Sequence, residues 1–238
     1  MPSPNESTSS DDQSARWQAA TALVRLMATE RQRAEPPLAA LPPGTRFMDA
    51  PEQLTVARIL KVGHAGEYGA IRIYRAQICV ARRRCPDVVS FLEETLGHEI
   101  NHCSLFLGAM PARHARPCRI LALWGNGGLI LGFLTALLGR QGIWICTAAV
   151  EAAVHRHLED QLLFLRNRDS NLHALIASIQ SDELMHLSHA EQRIVVTTFW
   201  SRLLRVFISN ATDAAIWLST WGDSAKMARE LAAARHAP

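Results

Sequence analysis

Two copies of one arrangement of carboxylates and histidines recur in the chain: Glu67 followed by Glu99-Ile-Asn-His102, and Glu151 followed by Glu183-Leu-Met-His186. In each copy 32 residues separate the lone Glu from the ExxH pair, and the second copy lies 84 residues after the first. With this Glu and His content, chance alone supplies roughly half an ExxH per chain, so a single pair says little. The shared offset says far more. Glu and His at i and i+3 of a helix project from one face, one turn apart, and can bind one metal ion together. Two such pairs hold two ions, with the lone Glu of each partner helix expected to supply the bridging oxygens. Four carboxylates and two imidazoles suit iron or manganese and leave open positions for oxygen or water, whereas the absence of Cys from the set disfavours structural zinc.

The surroundings of the lone Glu residues agree. Glu67 lies in Val62-Gly-His-Ala-Gly-Glu-Tyr-Gly-Ala-Ile71 and Glu151 in Thr147-Ala-Ala-Val-Glu-Ala-Ala-Val154, where an unpaired buried carboxylate is costly or takes up a proton. Two lone Glu and two ExxH pairs form the donor set of ferritin-like carboxylate bundles. The bland alternative, Glu and His on solvated helix faces, explains one motif but not six residues in register. His64, His98, His155, His173 and His189 lack that support and read as surface, core or ligand-orienting groups, and Asp182, beside Glu183, is placed to hydrogen-bond a ligand histidine. Trp124, Trp144, Trp200 and Trp217 read as packing or interface anchors.

Helices must position these groups. Leu54–Arg84 and Val88–Met110 each run for more than twenty residues without proline, separated by Pro86 and Asp87, and a short link makes them antiparallel. Trp144–Arg166 and Leu172 to about Ile194 form a second pair around a polar loop at 167–171, with Gly139 and Gly142 in the connection before it. No useful stretch alternates with period two, so the chain is all-α. Residues 1–14 read as a loose tail and Trp17–Arg33 as a docking helix, and Pro36, Pro37, Pro42 and Pro43 precede a boundary near Asp49. The expected plan is an N-terminal tail with its helix (1–50), a helical bundle (51–225) and a C-terminal tail (226–238). Ile120–Gly139 is twenty residues without a charge, enough at about 1.5 Å per residue to cross a hydrocarbon core of roughly 30 Å. Its five glycines, Asn126 and arginine flanks favour an interfacial helix over a true span or a plain buried helix.

Composition narrows the function. At 238 residues, 48% apolar and 20% charged, one well-buried domain is expected. A net charge of +3 without a basic run argues against nucleic acid as a partner. Five cysteines without a CxxC fit a reducing compartment. Glu6, Asp11 and Asp12, with no apolar run beside them, resemble neither a secretory signal nor a transit peptide.

Lys61-Val-Gly-His-Ala-Gly-Glu-Tyr-Gly-Ala-Ile-Arg-Ile-Tyr-Arg-Ala-Gln77, the first ExxH, Leu123-Trp-Gly, Ala148-Ala-Val-Glu151, Asp182-Glu183 and Ala214-Ala-Ile-Trp-Leu-Ser219 together resemble the demethoxyubiquinone hydroxylase family, over roughly residues 52–222. The resemblance implies a ferritin-like four-helix bundle with additional membrane-facing helices. It also implies two non-haem iron ions on Glu67, Glu99, His102, Glu151, Glu183 and His186. The activity implied is O2-dependent hydroxylation of a polyprenylated demethoxyubiquinol late in ubiquinone biosynthesis, driven by an external reductant. Expected partners are that quinol and a membrane lipid surface, with a homo-oligomer or a ubiquinone-biosynthesis complex as the assembly. The expected location is peripheral, on the cytoplasmic side of a bacterial inner membrane. Phe199, Trp200, Leu203, Leu204, Phe207 and Ile208 form a second apolar stripe, with Arg202 and Arg205 placed for anionic headgroups. The family's histidine six residues after the third-helix Glu falls on His157, and the Tyr that follows it in the family is Leu158 here; Cys103 replaces a common Leu. Two other functions fit the same residues: an iron-handling ferroxidase, and a metal-free membrane-associated helical module.

Overall fold

The computed structural model describes residues 48–195 and 198–235, which fold into seven α-helices. The tail and docking helix expected before residue 48 lie outside the described residues. The first helix, α1, spans Ala50–Arg84 and opens on a reciprocal cap: Glu52 N–H donates to Asp49 Oδ1 at 2.8 Å, and Asp49 N–H donates to the Glu52 carboxylate at 3.3 Å. Two orphan donors of the helix start are satisfied at once. A short 3-10 turn at Pro86–Val88 leads into α2, Val89–Ala109, which packs back along α1.

The second hairpin is built from α4, Gly139–Leu165, and α5, Ser170–Glu191. Its turn is the expected polar loop, largely exposed, with one buried residue. Asp169 is fully buried, accepts the Leu172 N–H at 3.0 Å to cap α5, and takes Arg113 Nε and Nη2 at 2.6 and 2.9 Å. The polarity of this turn serves a buried ion pair that ties it to the exit of α2. The two hairpins face each other over Ile59, Leu60, Phe106, Leu165, Leu172, Ile176 and Ile179, all closed to solvent.

The apolar segment forms α3, Leu121–Leu137, and no helix among the described residues is long and apolar enough to cross a membrane. Its glycines have a packing reason. A Cβ at Gly128 would lie 2.7 Å from the Gly69 carbonyl oxygen and one at Gly132 2.8 Å from Ile73 Cα, so α3 rests directly on the α1 backbone. The opposite face exposes Ile130, Phe133, Leu134 and Leu138, which rules out the plain buried helix as well. The link to α4 is tighter than expected: only Leu138 separates the helices, Gly139 turns the chain at φ 76°, and Gly142 lies inside α4 against the Thr135 carbonyl.

Helix α6, Phe199–Ser219, divides the second apolar stripe. Phe199, Trp200, Leu203 and Phe207 face outward, but Ile208 is fully buried beside Ile145, Cys146 and Ala149, with Leu204 packed against the same cluster. Arg205 is engaged by Glu191 at 2.7 Å. The expected C-terminal tail is instead helical through Arg235: α7, Asp223–Arg235, buries Met227 and Leu231, and Asp223 holds Lys61 at 2.6 Å. Its buried residues, Met227 and Leu231, are one helical turn apart, too short an apolar pattern to mark a helix in the sequence. The five cysteines, all among the described residues, form no disulfide.

Candidate metal centre

Glu67 comes from α1, Glu99 and His102 from α2, Glu151 from α4, and Glu183 and His186 from α5, so each bundle helix contributes. None of the six is more than 4% exposed. The side chains converge in two overlapping sets, Glu67, Glu99, His102 and Glu183, and Glu99, Glu151, Glu183 and His186, with the ligand atoms of each set within 4.8 Å of one another. The shared carboxylates are therefore Glu99 and Glu183, the ExxH glutamates. This corrects the expectation that the lone glutamates bridge: Glu67 and Glu151 each belong to one set and flank the centre. The cross-hairpin approaches are those of the ExxH residues, His186 to Glu99 at 3.6 Å and His102 to Glu183 at 3.1 Å.

Both histidines turn Nδ1 inward. His102 Nδ1 lies 3.1 Å from Glu183 Oε1 and 3.9 Å from Glu67 Oε2. His186 Nδ1 lies 3.6 Å from both Glu99 Oε1 and Glu183 Oε2. Their Nε2 atoms point away, His102 to Asp182 Oδ2 at 3.0 Å and His186 to His98 Nδ1 at 2.9 Å. Three buried atoms that face the centre, Glu99 Oε1, Glu183 Oε2 and His186 Nδ1, have no hydrogen-bond partner. Of the eleven such buried atoms among the described residues, these three belong to the donor set and lie within ligand distance of one another. An oxygen-rich set with two imidazoles and unspent lone pairs fits two hard divalent cations.

The electrostatics say the same. Four buried carboxylates cannot all ionise beside one another without cations. Burial, reinforced by the charge of Glu183, pushes Glu67 up to about 7 and raises Glu99 and Glu151 well above the usual carboxylate range. Glu183 goes the other way: burial opposes its charge, but hydrogen bonds from Glu151 and His102 and the nearby His186 ring outweigh it and hold the group well below the usual range. Burial alone would lower His102, yet its bond to Glu183 and the charges of Glu67 and Glu183 raise it to about 9. Protons occupy this cluster where cations would otherwise balance it.

Tyr74 is a residue that spacing did not single out. Its buried hydroxyl donates to Glu151 Oε1 across the bundle. The signal was available, since Tyr74 lies seven residues, two helical turns, after Glu67 on the same face, and a buried phenol needs an acceptor. The remaining histidines stay outside the cluster. His64 is buried and pushed down to about 4 by burial, His155 meets Glu159 at 3.3 Å, His157 meets Asp213 at 3.5 Å, and His189 stacks on Phe91. Leu158 belongs to the apolar core. Trp124 and Trp144 are buried packing residues, and Trp200 and Trp217 are exposed.

Comparison with known proteins matches residues 54–219 to the family described as "Ubiquinone biosynthesis protein COQ7". The chain is 34% identical over 180 residues to the "NADPH-dependent 3-demethoxyubiquinone 3-hydroxylase, mitochondrial" of Rattus norvegicus, covering 72% of this chain and 80% of the relative. It is 38% identical over 131 residues to the "3-demethoxyubiquinol 3-hydroxylase" of Rhodospirillum rubrum, covering 55% and 61%. It is 32% identical over 148 residues to the "5-demethoxyubiquinone hydroxylase, mitochondrial" of Saccharomyces cerevisiae, covering 56% and 64%.

Proposed function

Because the chain belongs to the COQ7 family of ubiquinone biosynthesis proteins, we propose that it is a 3-demethoxyubiquinol 3-hydroxylase, a monooxygenase that uses two iron ions on Glu67, Glu99, His102, Glu151, Glu183 and His186. The observation that carries the reading is the convergence of six buried donors with unspent lone pairs, in a chain whose relatives are named for this hydroxylation. When bound, the iron supplies the redox chemistry that lets O2 react with an aromatic ring. One oxygen atom enters the ring and the other leaves as water, consuming two electrons and two protons from an external reductant. The name of the rat relative supports a reduced nicotinamide as that source.

The protein's own residues define the rest. Glu99 and Glu183, which belong to both donor sets, would be available to both ions, and Glu67 and Glu151 would each hold one. Asp182 and His98 fix which nitrogen each ligand histidine presents, and Tyr74 orients Glu151. A metal-free packing role would leave four carboxylates buried against one another, relieved only by protonation and by the contacts of Tyr74 and His102. An iron store lacks any use for the outward-facing apolar side chains of α3 and α6, which suit a substrate with an isoprenoid tail dissolved in a bilayer. The reading therefore includes peripheral attachment at the cytoplasmic side of a bacterial inner membrane.

The test is the quinone profile of cells lacking this gene, restored with wild type or Glu183→Ala. Accumulated demethoxyubiquinone that only wild type converts supports the reading. An unchanged profile in cells with no second hydroxylase refutes it.

A further inference from the structure

The 84-residue duplication extends past the six donors, and where it does, the two halves carry unlike groups. His98 and Asp182 occupy equivalent positions, each directly before the ExxH glutamate, and each meets the Nε2 of the other half's ligand histidine. Tyr74 and Leu158 are likewise equivalent, but only Tyr74 has a hydroxyl, and it reaches Glu151. Leu158, buried and apolar, has no hydroxyl to offer at the equivalent position. One position, on Glu67 and His102, is thus backed by a carboxylate and has no phenol. The other, on Glu151 and His186, is backed by an imidazole and has one.

We infer that the two metal positions are inequivalent, and that the one on Glu67 and His102 binds its ion more tightly and fills first. This rests on the dinuclear reading above. With Nδ1 facing a cation, Nε2 of each histidine carries the proton. His102 then donates to the Asp182 carboxylate, a charge-assisted bond that makes the imidazole a stronger electron-pair donor. His186 donates to the neutral ring nitrogen of His98, which does so less. The phenol of Tyr74 draws charge from Glu151 and weakens it as a donor, while Glu67 keeps its full strength. Both differences act in the same direction. Asp182, His98 and Tyr74 are positioning residues in this scheme, since none needs to touch the metal.

Titration of the metal-free full-length chain with Mn2+, read by the loss of the free-ion electron paramagnetic resonance signal, tests this directly. Two ions should bind in two steps separated by tenfold or more in affinity. Asp182→Asn should weaken one step by about 10–100-fold and leave the other in place. His98→Gln should shift only the other step, which keeps the test decisive should Asp182→Asn lose its helical circular dichroism. Two equal steps, or a variant that moves both steps together, would overturn the inequivalence and leave the dinuclear centre standing. Fewer than two bound ions in wild type would overturn the dinuclear reading itself.

Discussion

The indole of Trp124 fills the space where a side chain at Gly69 would go: a Cβ there would lie 2.6 Å from the ring atom Cε2. The same indole N–H donates to the carbonyl of Ala65, one turn back along α1. Glu67 sits between these two contacts, so the apolar α3 is clamped onto the stretch of α1 that carries a metal-facing carboxylate. Gly69→Ala forces the indole or the helix to move and should cost about 1–3 kcal/mol, as overpacking does. Urea denaturation of the variant checks this, and an unchanged midpoint would show that Trp124 relaxes freely.

The buried pair of Arg113 and Asp169 should matter more. Arg113→Ala strands a carboxylate that also caps α5, and removing one partner of a buried pair costs about 3–5 kcal/mol. The expected result is a large fall in urea midpoint with the metal stoichiometry of the folded fraction unchanged, since neither residue lies in the metal cluster.

Much of this was legible in sequence, and the limits are physical. The helices and the six donors follow from spacing, because i, i+3 pairs and long proline-free runs are local signals. Which carboxylates are shared is not local: Glu99 and Glu183 lie between the hairpins only once the bundle register is set. Tyr74 acts on a residue 77 positions away, and no short-range pattern announces that. The glycines of α3 weigh against a span in the sequence, but their reason, close packing on Gly69 and Ile73 of α1, is a long-range contact that only the fold displays. Asp169 looked like a loop residue because its partner, Arg113, belongs to another connection.

The metal-free protein should grow less stable as pH rises. Glu67 holds its proton in the folded state up to about 7, above the ordinary carboxylate value, so folding is favoured at low pH and this contribution is lost between about 4.5 and 7. His102, raised from 6.5 to about 9, acts with the same sign at higher pH: its contribution is full below 6.5 and disappears as pH passes 9. Buried His64, held down to about 4, acts with the opposite sign below pH 6.5, so thermal melts of chelator-treated protein from pH 6.5 to 9 should show the falling midpoint, and added divalent metal should flatten or reverse the slope because binding displaces those protons. A midpoint that rises with pH over that range in the chelated protein would contradict the proton-filled cluster.

Attachment to lipid should depend on the outward face of α6. Phe199, Trp200 and Phe207 are 72%, 73% and 63% exposed, and each is worth about 1.5–3 kcal/mol if taken fully out of water. Sedimentation with anionic phospholipid vesicles should fall by at least tenfold when all three are changed to Ser, with the melting temperature nearly unchanged. Equal sedimentation of variant and wild type would remove α6 from the membrane-facing surface.

The central claim is that these six side chains support oxygen insertion into a demethoxyubiquinol. The most direct measurement is a single-turnover reaction of the iron-loaded, chemically reduced protein with a short-tailed demethoxyubiquinol under 18O2, read by mass spectrometry of the quinone product. The account predicts one 18O atom in the new ring hydroxyl for wild type and no hydroxylated product for Glu183→Ala of equal helical content. Unlabelled hydroxyl in the product, or equal turnover by the Glu183→Ala protein, would contradict it.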